Sequence, residues 1–289
     1  MDRAFVYFHQ GWTDLLMCMG LIDYYSERHE QITLFVRSDA KDFMEFYLRG
    51  KDNVEAIYFN GDDGRYYGTI AKTPHVDSFI YTSADRDGYG NLLLPQDMTM
   101  QTHGEHDKWR EDEFALRWYH YFITNRILPG HDRFPYFPEA FYEYYNIPYA
   151  TRCSSFNVNR DVELENKVYE DFVKEHGEDY ILYHDNQDRE PEGGVAGIPN
   201  RNTKINFDTV KDGVSYVNLN GRSRLLFDYI KVLENAQELH LIDSLWACLV
   251  YQLQARYNMF SDKPVNIYCQ RGHHEIFQRP VQFKEWNLV

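Results

Sequence analysis

A glycine turn followed by an acid stands near the start of the chain, in the segment His9-Gln10-Gly11-Trp12-Thr13-Asp14. It directly follows residues 4–8, an apolar run that is typical of a buried strand. Glycine lets a backbone approach a ligand closely, and the N–H groups at the start of a following helix can bind an anion. A carboxylate at this turn could also take a proton from a substrate hydroxyl. The structural alternative makes Gly11 a turn residue and Asp14 a helix N-cap.

Two further polar segments follow predicted strands in the second half of the chain. We expect each segment to open a helix, where backbone N–H groups, a hydroxyl and guanidinium groups could hold a diphosphate. The residues that could contact a diphosphate there are Asn220, Gly221, Arg222, Arg224, Asp243 and Ser244. The competing interpretations are a solvated loop after the first strand and an ordinary Asp-Ser N-cap after the second.

Histidines add candidate ligand contacts in the same half. His184 and Asp185 follow a strand predicted at 179–183, where a base or nucleotide could be contacted, and His240 lies in the strand before Asp243. Lone histidines are more often structural. The segments 103–107 and 273–275 collect His, Asp and Glu residues but lack a recognised zinc spacing, so the sequence predicts no metal site.

Several function classes are disfavoured. The chain has no GxxxxGK[ST], GxGxxG or GxSxG motif, which argues against P-loop kinases, typical dinucleotide oxidoreductases and serine hydrolases. A net charge of −15 disfavours nucleic-acid binding but leaves room for one phosphorylated ligand in a local pocket. The four cysteines form no CxxC pair, and no signal peptide or transmembrane stretch is evident, so the sequence predicts a cytoplasmic protein.

Alternating strands and helices must position these residues. The predicted strands are 4–8, 32–36, 54–59, 77–81, 179–183, 215–219, 238–242 and 265–269, the last of which closes the sheet. The predicted helices cover about 14–28, 41–48, 109–127, 162–175, 223–235 and 244–254. Residues 83–108 are predicted to form a long polar loop, and the proline-rich stretch 128–150 marks a boundary. The pattern predicts an α/β protein with two Rossmann-like lobes, 1–150 and 151–289, and an interlobe cleft.

The first turn and its helix, His9 to Asp14 and then Cys18 to Ile22, resemble the opening of heptosyltransferase-like GT-B glycosyltransferases. Those enzymes begin with a strand, a Gly-Leu-Gly-Asp turn and a helix. This chain keeps Gly11 and Asp14 but has Trp12 and Thr13 between them. The segment Phe227 to Leu253 resembles the part of the family's carboxyl lobe in which an Asp-Ser turn meets the donor's phosphates. The family's following Gly-Pro-Xaa-His is replaced here, because Leu245-Trp246-Ala247 stand in its place.

The resemblance implies transfer of a sugar from a nucleotide-diphosphate sugar to a hydroxyl of a glycan or other acceptor, with inversion and without a metal or other cofactor. Asp14 would be the catalytic base. Arg222, Arg224 and the helix start at Ser244 would stabilise the leaving diphosphate. Two alternatives remain open at this point: a non-catalytic nucleotide- or sugar-binding protein, and a two-lobed nucleotide-sugar epimerase.

Overall fold

The chain divides into two compact units, Met1–Thr151 and Arg152–Val289, and each has its own parallel sheet. The computed structural model describes residues 3–8, 12–59, 78–81, 139, 142, 147–185, 204–207, 209–222, 226–269, 275–278 and 280–288. The predicted α/β class with parallel strands is confirmed. The predicted helix at 109–127, the predicted loop at 83–108 and the residues His9, Gln10, Gly11 and Arg224 lie outside the described residues.

The first unit contains a four-stranded parallel sheet in the order β3-β2-β1-β4. Its described elements are β1 (Arg3–Phe8), α1 (Trp12–Ser26), β2 (Gln31–Arg37), α2 (Lys41–Tyr47), β3 (Val54–Phe59) and β4 (Ser78–Tyr81). A single 3₁₀ turn, Ser38–Ala40, leads into α2. This strand order begins the classic doubly wound pattern, in which the chain fills one side of the first strand and then crosses to the other.

The second unit contains a five-stranded parallel sheet in the order β6-β5-β7-β8-β9. Its strands are β5 (Tyr180–His184), β6 (Ser215–Asn218), β7 (Glu238–Ile242), β8 (Val265–Tyr268) and β9 (Trp286–Leu288). Its helices are α3 (Thr151–Ser154), α4 (Val162–His176), α5 (Ile230–Asn235), α6 (Leu245–Tyr257) and α7 (Glu275–Gln278). The order corresponds to the second common doubly wound pattern, 2-1-3-4-5.

Helix α6 is buried over most of its length. Every residue from Leu245 to Gln254 is buried, as expected for a helix that is apolar nearly all round. The alternate strand residues Leu239, Leu241, Val265 and Ile267 are buried as well. A helix that is fully enclosed is held by packing on all sides, so its amino-terminal end has a fixed position at the edge of the sheet.

Two predicted helix starts and the predicted last strand of the second sheet are wrong. Helix α1 begins at Trp12 rather than Asp14, so Thr13 and Asp14 lie in its first turn and neither is the N-cap. The ring of Trp12 stacks on Phe43 of α2, with ring centroids 6.3 Å apart. This packing contact accounts for the earlier start of α1. Tertiary packing of this kind overrides the side-chain preference on which the capping prediction depended.

The other two corrections concern the second unit. Helix α5 begins at Ile230 rather than residue 223, and residues 226–229 form turns in which Leu226 and Phe227 are buried. Arg222 therefore lies eight residues before the start of α5, and residues 223–225 between them lie outside the described residues. Strand β8 does not close the sheet, because β9 pairs with it in parallel. Three residues are too few for a periodic pattern to reveal a strand.

A buried ion pair stabilises the first unit and yields a testable prediction. Lys51 Nζ lies 2.6 Å from Asp23 Oδ1, the two side chains are only 9% and 6% exposed, and the Tyr47 hydroxyl donates to the other carboxylate oxygen. Lys51→Met should lower the free energy of unfolding by about 3 kcal/mol, since it removes the cation beside a buried carboxylate. The control Lys41→Met removes an exposed pair with Glu45 and should cost less than about 1 kcal/mol. Equal effects in urea denaturation would contradict the prediction.

Candidate active site

The second unit has a topological switch point between β5 and β7. The chain leaves β5 toward β6 on one side and later returns to form β7 on the other side. In open parallel sheets, ligands bind in the crevice beyond the carboxyl ends of the strands at such a point. Asp185 follows β5, and Asp243 and Ser244 follow β7, so these residues lie at the carboxyl-terminal edge of the sheet beside the switch point.

The first unit has its own switch point, between β1 and β4. Asp14 is the third residue of α1, the helix that follows β1. Thr13 precedes it in the same turn, and Trp12 is half-buried against Phe43. Asp14 is therefore close in sequence to the carboxyl end of β1, one of the two strands at the switch point. The glycine turn before α1 lies outside the described residues.

A buried carboxylate links the ends of β5 and β6. Asp185 is only 2% exposed, and its Oδ1 accepts hydrogen bonds from Asn218 Nδ2 at 3.2 Å and Asn220 Nδ2 at 3.0 Å. The backbone N–H of Asn220 donates to Asn218 Oδ1 at 2.8 Å. Hydrogen bonds that satisfy a buried carboxylate hold it in one orientation, so the negative charge has a defined place at the sheet edge.

The turn after β6 is shaped by Gly221, whose φ of +76° lies in the region that L-residues other than glycine rarely adopt. Arg222 follows, and its backbone N–H donates to Leu219 O at 3.1 Å. The Arg222 guanidinium donates to the Tyr229 hydroxyl and lies 6.0 Å from the centre of the Phe172 ring. Arg222 is therefore positioned by aromatic side chains, and the bond to Tyr229 uses one of its five N–H donors.

The start of α6 follows β7, which is the neighbour of β5 in the sheet. It differs from the Asp185 cluster in its hydrogen bonding. Ser244 is the N-cap, with an extended backbone, yet its hydroxyl does not cap the helix. The Ser244 Oγ is buried and makes no hydrogen bond within the part of the chain that the structure describes. The indole Nε1 of Trp246 is also buried and also makes no hydrogen bond within the described residues. The first turn of α6 therefore offers backbone N–H groups and a hydroxyl that has no hydrogen-bond partner among the described residues, and such an arrangement can bind an anion at a helix start.

The two predicted histidines occupy different positions. His184 is the last residue of β5 and is half-buried directly before Asp185. His240 lies inside β7, where Nδ1 is 3.0 Å from the Tyr268 hydroxyl and Nε2 is 3.0 Å from Glu238 Oε2. Both ring nitrogens of His240 are thus engaged by side chains from the strands, so His240 has a structural partner on each side.

Sequence reasoning named Asp185 beside His184 as a nucleotide contact, but it did not find the link to β6. Asn218 was not a candidate at all. The available signal was position, because Asn218 and Asp185 both stand at the carboxyl ends of neighbouring predicted strands. Among the described residues, no three His, Cys, Asp or Glu side chains are grouped so that they could hold a metal ion. None of the helices described is long and apolar enough to cross a membrane.

Comparison with solved structures identifies a similar fold. A glycosyl transferase family 9 protein from Veillonella parvula matches with a TM-score of 0.50, over 92% of this chain and 80% of that chain, at 11% sequence identity. No protein-family model matches the chain, and a search of curated proteins gives no match. The expected likeness to glycosyltransferases is thus confirmed at the level of the fold.

The contacts of Glu238 generate a prediction about acid stability. Its Oε1 accepts a hydrogen bond from Lys211 Nζ, and this bond, with a smaller effect from His240, lowers the pKa of the Glu238 carboxyl. A lowered pKa means that the stabilisation is present above the unfolded pKa of about 4.3 and is lost as the pH falls through the folded value. Glu238→Gln should therefore lower the free energy of unfolding at pH 5.5, by less than about 1 kcal/mol because the pair is partly exposed.

The difference between wild type and Glu238→Gln should shrink as the pH falls from 5.5 to 3.5, measured by urea denaturation. Glu170→Gln, at an exposed position of α4, is the control and should change the free energy of unfolding at pH 5.5 by less than about 0.5 kcal/mol. A difference for Glu238→Gln that grows on acidification would refute the assigned direction.

Proposed function

We propose that the protein is a glycosyltransferase that moves a sugar from a nucleotide-diphosphate sugar to an acceptor hydroxyl, with inversion and without an essential metal. The second unit would bind the donor, and the first unit would serve the acceptor across the interlobe cleft that the sequence predicts. The observation that carries the proposal is the start of α6 at a switch point, with a buried Ser244 hydroxyl that makes no hydrogen bond within the described residues. The fold likeness to a glycosyl transferase family 9 protein supports it.

The donor's diphosphate fits the start of α6 on physical grounds. The first backbone N–H groups of a helix have no intrahelical acceptor, and the helix dipole favours negative charge at this end. Asp243 N–H donates to Tyr268 O at 3.2 Å, so the turn that carries Ser244 is tied to the neighbouring strand. A pre-positioned set of donors stabilises the charge that develops on a leaving diphosphate without having to reorganise during the reaction.

The reaction then needs a base for the acceptor. In the proposal Asp14 takes the proton of the acceptor hydroxyl while the hydroxyl oxygen attacks the anomeric carbon of the donor sugar. The bond from that carbon to the diphosphate oxygen breaks, and its electron pair leaves with the diphosphate. The start of α6, Arg222 and Arg224 would hold the leaving group. A carboxylate in the first turn of a helix is stabilised in its ionised form, which is the form that a general base requires.

The first test is a thermal-shift screen against UDP, GDP, ADP, CMP and dTDP. A nucleotide present at about 100 times its dissociation constant should stabilise the protein by about 2.7 kcal/mol. Ser244→Ala should weaken binding of the nucleoside diphosphate by roughly tenfold or more, because a hydrogen bond to a charged group is lost. The variant should keep the wild-type stability, since the hydroxyl has no described protein partner to lose.

Ser261→Ala is the matched control for this test, because Ser261 is exposed and lies beyond the end of α6. It should leave nucleotide affinity unchanged. Unchanged affinity in folded Ser244→Ala would remove the start of α6 from the donor site. An absence of any nucleotide-dependent stabilisation in the wild type would remove the proposed function.

The second test addresses Asp14. Asp14→Asn should lower the release of nucleoside diphosphate from the nucleotide sugar by about 10²–10⁴-fold, because an amide cannot take the proton. Donor affinity should persist. Since Asp14 lies in the first turn of α1, loss of its charge should also cost roughly 0.3–1 kcal/mol of stability through the helix dipole.

Asp42→Asn is the matched control, because Asp42 is an exposed acid in the first turn of α2. It should show the small stability loss and normal turnover. Near-normal turnover in Asp14→Asn would show that the base lies elsewhere. The alternatives differ in outcome: a non-catalytic binding protein would bind the donor without any turnover, and an epimerase would convert the nucleotide sugar without an acceptor.

A further inference from the structure

We infer that Tyr229 is a positioning residue for the donor diphosphate, because it holds the guanidinium of Arg222 while its own ring packs on the first turn of α6. The inference rests on the proposed function, in which Arg222 and the start of α6 bind the same diphosphate. It deepens that function by assigning a role to a buried tyrosine that acts through another side chain.

The backbone of Arg222 is fixed by the turn after β6. Gly221 before it has a φ of +76°, and the Arg222 N–H donates to Leu219 O at 3.1 Å. The N–H of Leu219 in turn donates to Tyr183 O of β5 at 2.8 Å. The turn is thus bonded to a strand of the switch point, so the Arg222 side chain leaves the backbone at a fixed place on the carboxyl-terminal edge of the sheet.

Two aromatic rings and one hydroxyl hold the far end of the side chain. The guanidinium carbon of Arg222 lies 5.7 Å from the centre of the Tyr229 ring and 6.0 Å from that of Phe172, within the range of cation–π attraction. The guanidinium also donates a hydrogen bond to the Tyr229 hydroxyl. Tyr229 is buried, and its ring meets Phe172 edge-on with centroids 6.2 Å apart. The side chain that holds Arg222 is therefore itself held by the core.

Tyr229 connects Arg222 with the start of α6. Its ring meets the ring of Trp246 edge-on, with centroids 5.9 Å apart, and Trp246 is the second residue of α6. The N-cap Ser244 stands two residues earlier. One aromatic side chain thus contacts both the cation and the helix turn that the proposed function assigns to the diphosphate. Because Arg222 is only half-buried, part of its side chain stays open to a ligand.

A cation that is positioned before the ligand arrives binds it more tightly than a freely rotating one. Immobilising a long side chain during binding lowers affinity, and the contacts with Tyr229 and Phe172 already restrain Arg222 in the folded protein. Removal of the Tyr229 hydroxyl restores part of that freedom and leaves the charge unchanged. We therefore expect Tyr229→Phe to weaken diphosphate binding by about three- to tenfold.

The test is a double-mutant cycle measured by calorimetry. The probes are inorganic pyrophosphate, UDP, GDP, ADP and dTDP, and the cycle is measured with each probe that binds the wild type. Tyr229→Phe keeps the ring contacts and should give the stated loss of affinity. In the Arg222→Ala background the same change should have no further effect, because the guanidinium that it positions is gone. Additive losses, or unchanged affinity in folded Tyr229→Phe, overturn the inference.

Tyr180→Phe is the matched control. Tyr180 packs edge-on against the same Phe172 ring, with centroids 4.8 Å apart, and its buried hydroxyl donates to Val232 O at 2.8 Å. The change removes a hydroxyl from the same aromatic cluster and leaves the hydrogen bond of Arg222 intact. It should lower the midpoint of urea denaturation and leave the affinity for every probe unchanged. A loss of affinity equal to that of Tyr229→Phe would show that loosening of the cluster is the cause, which overturns the inference.

Arg222→Lys gives a second measurement that does not depend on the folding of Tyr229→Phe. Lysine keeps the positive charge but replaces the planar guanidinium with a point charge on a flexible stem. The affinity should fall by a similar factor, and wild-type affinity in this variant contradicts the inference. Probe binding to the wild type without coupling between Tyr229 and Arg222 overturns the inference alone. An absence of binding by every probe overturns the proposed function as well.

Discussion

Parallel pairing of β5 with β6 on one side and β7 on the other is the constraint on which the candidate site depends. Parallel strands bring all their carboxyl ends to one edge, and the reversal of direction at β5 opens a crevice there. Residues 58 positions apart along the chain, Asp185 and Asp243, stand at the ends of neighbouring strands for this reason. Packing around the buried residues Leu245 to Gln254 holds the start of α6 in place at this edge.

The electrostatics of this edge are local rather than global. A chain with a net charge of −15 repels anions at long range, so a phosphorylated ligand must be held by groups that act within a few ångströms. In the proposed donor site, the start of α6 would meet this need with backbone dipoles, which are independent of the net charge. The Arg222 guanidinium donates a hydrogen bond to the Tyr229 hydroxyl. In the proposed site it would add a positive charge to the groups that hold the diphosphate.

Much of both sheets could be predicted from the sequence, because apolar runs bounded by polar residues are a direct consequence of burial. The runs 54–59 and 238–242 predict β3 and β7 with their observed bounds. The start of α5 could not be predicted, because the buried side chains of Leu226 and Phe227 continue an apolar pattern through turns. The start of α1 was missed because its first residue is held by Phe43, a contact between two helices.

The candidate site likewise contains residues that the sequence could predict and contacts that it could not. Position after a strand was enough to single out Asp243, Ser244 and His184, since topology alone places them at the edge. It could not show that Asp185 is held by Asn218 and Asn220, because hydrogen bonds between side chains depend on register, and register is set by the whole sheet. Position in the sequence also could not show whether the hydroxyl of an N-cap serine hydrogen-bonds to the start of its helix. That distinction depends on one side-chain rotamer, and it is the feature that changes Ser244 from a structural residue into a candidate ligand contact.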